Sequence, residues 1–236
     1  MKILLAASAL LLLQTPTPAS AVFTYRFDEV KRSVHLWPGG DQAKAVKVAQ
    51  GDAAHSGDGV TTGWWSHAVI SVPERSTRFE LYASTQVRLA TGEPGVLIAL
   101  DRGRIKGIFD VLAGGRQVKR RVSVPGALLA VRGTRYGVEV DKAGTSTLAV
   151  FKGVVEVIPR AAHTGTFMVK AGEWSTFGPG LLPKVAPMPG RGFGEKAWDQ
   201  GLHMDGSMMG TGTMMPGGTM PGGMHPGSGG TMGPMH

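Results

Sequence analysis

Apolar and polar residues alternate along much of the middle of the chain. Apolar side chains occupy every second position at 78–81, 86–89 and 135–140, and this period predicts half-buried β-strands. The uninterrupted apolar runs at 96–100 and 148–151 predict strands that are covered on both faces. No segment has the period of a long amphipathic helix. The pattern predicts an all-β fold and leaves open a β-sandwich, a roll or a short β-solenoid.

Turns rich in glycine and aspartate separate these runs. Lys152-Gly153 lies between two apolar pairs and predicts a tight hairpin. The segments 141–144 and 113–115 predict further turns. Short strands punctuated in this way indicate that residues 22–182 form a single β domain.

The first 21 residues have the features of an export signal peptide. A positive start at Met1-Lys2 precedes the apolar run 3–13, and Ala19-Ser20-Ala21 fits the rule for cleavage before Val22. The alternative is a membrane anchor, but the run has roughly half the length that a spanning helix needs. We therefore expect a periplasmic or secreted protein with no transmembrane segment after cleavage.

Overall composition narrows the function further. The 236 residues include 25 Lys and Arg, 17 Asp and Glu and no Cys, a net charge of +8. The missing cysteine excludes disulfides, thiolate zinc sites and cysteine nucleophiles. The positive balance favours an anionic envelope polymer or an envelope protein as partner, and no nucleic acid is expected because the basic segment 116–121 has no interleaved aromatics. The common catalytic motifs are missing, so we expect no enzyme activity.

The composition changes towards the C-terminus. Residues 183–200 contain a Pro- and Gly-rich stretch that predicts a linker, with Trp198 as a last residue that docks on the β domain. Residues 201–236 are low in complexity and hold nine of the 12 methionines. Gly, Pro and Ser disfavour a packed core there, so this tail is predicted to be disordered.

The methionines and histidines of the tail suggest a second chemistry. Thioethers prefer Cu(I) or Ag(I), and imidazole adds affinity for other transition metals. The alternative is a flexible tail that serves as a spacer, an adhesive segment or a sink for oxidants. No other cofactor is expected, and the candidate ligands are His203, Met204, Met208, Met209, Met214, Met215, Met220, Met224, His225, Met232, Met235 and His236.

Aromatic and imidazole side chains also occur within the β region. His35, His55, His67 and His163 are scattered along it and are expected to be packed or surface residues. The pair Trp64-Trp65 could offer an aromatic platform to a sugar or a protein. Neighbours in a strand point to opposite faces, so we expect one indole in the core and the other partly exposed.

Four motifs in order make the chain similar to the FecR domain family. They are G-D-G-V-T-T-G at 57–63, V-R-G-T-R-Y-G-V at 131–138, V-F-K-G-V-V-E-V at 150–157 and V-K-A-G-E at 169–173. The resemblance extends over roughly residues 30–177 and implies a FecR-like β-sandwich or roll. The motif residues that it marks as structural or binding positions are Gly57, Asp58, Thr62, Gly63, Arg132, Gly133, Thr134, Gly153, Gly172 and Glu173.

These motif residues also have a physical interpretation of their own. Glycine permits backbone conformations and close approaches that a Cβ would block. Asp58 can accept backbone N–H bonds in a turn, and Arg132 can pair with a carboxylate or carbonyls across its turn. Turn building is the first interpretation, and ligand or metal binding is the alternative.

What the resemblance implies for function is a module of the cell envelope. Members of the family are known as inner-membrane regulators, in which a cytoplasmic segment controls a sigma factor and a periplasmic FecR domain contacts a transporter. The expected signal peptide, and the missing spanning helix, depart from that layout. We therefore expect a binding or scaffolding module. The alternatives are a copper- or silver-binding protein and an extracytoplasmic component of a metal-responsive signalling system.

Overall fold

The structure is a computed structural model that describes residues 23–111, 120–161, 165–189 and 194–200. The signal peptide and the Met-rich tail predicted from the sequence lie outside the described residues, as does His163.

The described residues form 17 strands and one α-helix. The predicted strands are confirmed, and buried residues alternate with more exposed ones in β7 and β8, whereas in β12 the intervening Gly137 is buried as well. The strands are β1 (Thr24–Lys31), β2 (Val34–Trp37), β3 (Val46–Lys47), β4 (Ala53–His55), β5 (Gly59–Thr62), β6 (His67–Val72), β7 (Thr77–Leu81), β8 (Gln86–Leu89), β9 (Val96–Phe109), β10 (Arg121–Val124), β11 (Ala127–Val131), β12 (Arg135–Val140), β13 (Ser146–Lys152), β14 (Val154–Pro159), β15 (Phe167–Lys170), β16 (Glu173–Gly178) and β17 (Leu181–Pro187), and the helix is α1 (Glu195–Asp199).

The strands pair into two sheets that share β9. Sheet A has the order β4-β1-β6-β7-β9-β12-β13-β16-β17. Sheet B has the order β3-β2-β5-β8-β9-β10-β11-β14-β15. Only the pairing of β9 with β10 is parallel among the described strands.

The long strand β9 passes from one sheet to the other in its middle. Arg102 is still paired with Gln86 of sheet B, whereas Gly103 is paired with Val140 of sheet A. Gly103 has a φ of +90°, and a Cβ on it would lie 2.5 Å from Cα of Thr85. The crossing therefore depends on a residue without a side chain.

Most of the chain follows one rule, in which a hairpin stays within a sheet and the next connection crosses to the other sheet. The strand β13 pairs with β12 and β16 in sheet A, while β14 pairs with β11 and β15 in sheet B. The tight hairpin predicted at Lys152-Gly153 is therefore wrong, because this dipeptide is a corner between the sheets. Hairpin turns and corners both need a left-handed residue, here Gly153 with φ +82°, so their sequences look alike.

One core fills the space between the sheets. Its side chains come from both, for example Ile70 and Val138 from sheet A and Val87 and Leu129 from sheet B. All five residues of the apolar run 96–100 are buried, as predicted. The predicted all-β fold is confirmed, and the two sheets, joined through β9, form one curled and almost entirely antiparallel sheet around this core.

The C-terminal part of the described chain covers the outer face of sheet A. Trp198 of α1 is buried in a second cluster with Ala149 and Trp174, and a Cβ on Gly137 would overlap its indole. The predicted docking of Trp198 is confirmed. The predicted linker 183–200 is corrected, because residues up to Pro187 continue β17 and residues 195–199 form α1.

The crossing of β9 can be tested with two glycines of nearly equal φ. Gly103→Ala introduces both the left-handed strain and a clash with the Thr85 backbone, whereas Gly51→Ala, at φ +93°, meets no atom within 4 Å. We expect Gly103→Ala to lower the free energy of unfolding by about 2 kcal/mol more than Gly51→Ala. Urea denaturation measures both, and equal losses would contradict the steric role of Gly103.

Candidate functional site

The first motif residues anchor a turn at the end of sheet B. Asp58 is buried, and its Oδ1 and Oδ2 accept the backbone N–H groups of Gly39 and His55, each at 2.8 Å. The predicted role of Asp58 as a turn acceptor is confirmed. The hydroxyl of Thr62 donates to the Tyr82 carbonyl at 2.5 Å and accepts the Thr85 N–H at 2.9 Å. The motif segment 57–63 is thereby hydrogen-bonded to the loop that precedes β8.

The other motif residues meet at three corners, 132–134, 152–153 and 171–172, which we call the second corner row. The Thr134 hydroxyl donates to the Val154 carbonyl at 3.0 Å, and the Ala171 N–H donates to the Gly153 carbonyl at 2.9 Å. A carboxylate oxygen of Glu173 accepts the Lys170 N–H at 2.8 Å. These contacts give the row a structural role. The predicted pairing of Arg132 is not found among the described residues, and its side chain is exposed.

Four corners level with the crossing in the middle of β9 form the first corner row: 32–33, 63–66, 82–85 and 101–103. The Gly63 N–H donates to the Ser33 carbonyl at 2.8 Å, and the Ser84 N–H donates to the Gly63 carbonyl at 3.1 Å. The Ser33 N–H also donates to the Ser66 hydroxyl at 3.0 Å. The fourth corner lies against the third through Gly103 and Thr85. The motif residue Gly63 belongs to this row, apart from the motif residues of the second row.

Each corner of the first row contains one residue in the left-handed region. These residues are Arg32 with φ 66°, Trp65 with φ 60°, Ser84 with φ 55° and Gly103 with φ 90°. In the second corner row the left-handed residues are all glycines, at positions 133, 153 and 172. The first row therefore places side chains where the second row has none.

Both tryptophans of the first corner row face solvent. Trp64 is 77% exposed and Trp65 is 71% exposed. The prediction that one indole would enter the core is wrong, because the pair lies in a corner with Trp65 left-handed, and strand alternation does not apply there. The structure thus offers two exposed indoles side by side in sequence.

An open groove of about 740 Å³ lies beside these indoles. Its walls include Trp64, Trp65, His67, Tyr82, Arg104 and Asp199. A volume of this size falls in the range of known ligand sites, which combine aromatic walls with a few polar groups. The groove can accept a ligand by stacking and by hydrogen bonds.

A buried lysine organises the charges behind the groove. Nζ of Lys106 lies 2.7 Å from Oδ1 of Asp199, 2.9 Å from a carboxylate oxygen of Glu80 and 3.7 Å from one of Glu195. The Tyr82 hydroxyl donates to the same Asp199 oxygen at 2.6 Å. Burial alone would lower the pKa of Lys106, but its hydrogen bonds to Asp199 and Glu80 raise that pKa. The ammonium therefore stays charged and ties α1 to sheet A.

The groove holds two further polar side chains in fixed positions. Burial lowers the pKa of His67, although Glu29 and Glu80 oppose the shift, so the imidazole is neutral near pH 7. The Arg104 guanidinium stacks 4.4 Å from the Tyr82 ring centroid and 5.5 Å from that of Trp198. Such stacking orients a cation without neutralising it.

No metal centre is found within the described residues, where no three His, Asp or Glu side chains form a ligand cluster. His35, His55 and His67 belong to different strands, as expected for scattered residues. All the predicted Met and His ligands lie beyond residue 200, outside the described part. Metal binding by these residues stays a prediction.

The comparison with family models identifies part of the fold. Residues 58–156 match the family described as FecR protein. This part of the chain is therefore FecR-like. The matched range includes the Trp64-Trp65 corner, the crossing of β9 and the corners at 132–134 and 152–153. The resemblance proposed from the sequence motifs is confirmed.

Two solved structures are similar to part of this chain at low sequence identity. Two crystal structures of a candidate anti-sigma factor from Parabacteroides distasonis share 16% identity with the chain, with TM-scores of 0.49 and 0.48. The alignment covers 61% of this chain and 64% or 65% of theirs, so the chain spans less than two thirds of their length. No curated protein compared with the chain matches it.

The charge network around Lys106 generates a stability prediction. Lys106→Met leaves Glu80 and Asp199 close together without their shared cation. Because the lysine is 6% exposed but Asp199 is 42% exposed, we expect a loss of about 3 kcal/mol, the low end for a broken buried ion pair. Chemical denaturation at neutral pH measures it.

Lys31→Met is the matched control for this prediction. Lys31 pairs with Glu29, but its side chain is 66% exposed, so its removal should cost less than about 1 kcal/mol. Equal losses for the two variants would show that the buried network does not hold the domain together.

Proposed function

We propose that this protein is a non-catalytic extracytoplasmic binding module and that its contact surface is the first corner row with the groove beside it. The observation that carries the proposal is the exposure of Trp64 and Trp65 next to Tyr82 and Arg104. Trp, Tyr and Arg are the side chains that contribute most to binding at protein surfaces. Soluble domains rarely leave two adjacent indoles in solvent without a use for them.

The expected location supports a partner in the cell envelope. The N-terminal segment 1–21 has the pattern of an export signal. No helix of the described residues is long and apolar enough to cross a membrane. An envelope protein and an anionic envelope polymer both fit the net charge of +8. Binding at the envelope is also what a signalling component of the FecR type would require.

The double variant Trp64→Ala/Trp65→Ala tests this surface. Both side chains are exposed, so the thermal unfolding temperature should change little, while co-sedimentation of the full chain with envelope fractions of its own cells should fall by about tenfold or more. The matched control is Val154→Ala/Met168→Ala, two exposed apolar residues of sheet B, which should leave co-sedimentation unchanged. Equal losses in both variants, or no loss in the first, would reject the proposed surface.

The C-terminal segment favours a second candidate function, the binding of Cu(I) or Ag(I). Nine methionines and three histidines occur in residues 201–236, and thioethers are soft ligands that select monovalent copper. We expect the full chain to compete with a chromophoric Cu(I) chelator under anaerobic conditions. Replacing the nine methionines by leucine should weaken this competition by about tenfold or more. Equal competition by both proteins would remove the candidate.

A further inference from the structure

The first corner row contains side chains that its fold does not require. Five described non-glycine residues have a positive φ, and three of them, Arg32, Trp65 and Ser84, lie in this row. A side chain in the left-handed region costs on the order of 1–2 kcal/mol. The second corner row makes equivalent crossings with glycine alone. The strained residues of the first row therefore place side chains in solvent at positions where glycine would place none.

The apolar part of this surface is narrow. Among the large apolar side chains that are well exposed in the described chain, only Trp64 and Trp65 belong to the first corner row. A stable protein–protein interface buries about 800 Å² on each partner around an apolar centre. Two indoles flanked by charged corners suit a ligand that is one chain wide.

The charges of the row favour an anion. Asp101 in the row pairs with Arg88, and three carboxylates beside the row also have cationic partners: Glu29 pairs with Lys31, and Glu80 and Asp199 share Lys106. Arg32 in the first corner and Arg102 in the last are exposed. The available charge at the two ends of the row is therefore positive.

The order of the corners determines the length of the surface that the first corner row forms. The corners belong to β1, β6, β7 and β9 in sheet A and to β2, β5, β8 and β9 in sheet B, which are neighbours in both sheets. At about 4.8 Å per strand the four corners extend over about 15 Å. The indoles lie between Arg32 and Arg102 along this line. An extended ligand could therefore contact both arginines and the indoles at once.

We propose that the first corner row binds an acidic polysaccharide, an inference that rests on the binding function proposed above. The apolar faces of the sugar rings stack on the indoles of Trp64 and Trp65, because indole combines an apolar face with a polar edge. The carboxylates of the polymer pair with Arg32 and Arg102. An acidic peptide would satisfy the arginines but would leave the indoles without a ring to cover them.

The test measures binding of the full chain to oligogalacturonate by calorimetry and tryptophan fluorescence. A neutral cello-oligosaccharide and poly-glutamate of equal charge serve as the comparison ligands. We expect oligogalacturonate to bind about tenfold or more tightly than either, since only it combines rings with charge. Arg102→Gln should weaken this binding and reduce its dependence on salt.

The variant Trp65→Gly separates binding from folding. Glycine removes the left-handed strain, so the thermal unfolding temperature should stay equal or rise, while affinity for oligogalacturonate should fall by about tenfold or more. Ser76→Gly is the matched control, because it relieves the same left-handed strain at a turn outside the first corner row and removes no aromatic ring. It should leave the affinity unchanged.

The outcomes distinguish this inference from the function on which it rests. Equal affinity for poly-glutamate would identify an acidic protein segment instead and overturn the inference, and equal affinity for the neutral oligosaccharide would overturn the role of charge. If oligogalacturonate fails to bind while envelope co-sedimentation still depends on the tryptophans, the inference fails and the binding function stands. If both fail, both are rejected.

Discussion

The structure depends on one conformational constraint, the left-handed residue at each corner between the sheets. A chain that places consecutive strands in opposite sheets must change direction within two or three residues. At the corners of both rows this chain does so through one residue in the left-handed region, which glycine enters without steric cost. At Gly103 the constraint is doubled, because the neighbouring Thr85 backbone also leaves no room for a Cβ. The two sheets can share β9 only because both demands are met at one position.

Strand positions could be predicted from the sequence, whereas the corners could not. Alternation at 135–140 fixed β12, because a half-buried strand has a period of two. The Lys152-Gly153 dipeptide fits a hairpin and a corner equally well, since both need the same φ. The burial of Trp64 and Trp65 is wrongly predicted for a related reason. Trp65 is left-handed, and a tryptophan in the sequence does not indicate that conformation. Local sequence specifies the turn, but only packing decides which sheet the next strand joins.

The polar contacts of the groove are even harder to predict from the sequence than the corners. Lys106 and Asp199 are separated by 93 residues, and Tyr82 and Asp199 by 117. The segment around α1 looked like a linker because glycine and proline precede it. Its attachment rests on Trp198 filling the space above Gly137 and on the shared Asp199 carboxylate. Such contacts depend on the completed sheet, so composition alone cannot reveal them.

The two corner rows use the same backbone conformation for two different purposes. Where the left-handed residue is glycine, as in the second row, the corner has no side chain to offer and its role is to join strands. Where it is Arg32, Trp65 or Ser84, the same backbone carries a side chain at some cost in conformational energy. Each of these corners is bonded to its neighbours across paired strands, so the strain cannot relax by movement of one loop. A surface held in this way loses little freedom when a ligand binds, which reduces the entropic cost of association. Strain and rigidity at the Trp64-Trp65 corner therefore both result from the pairing of neighbouring strands.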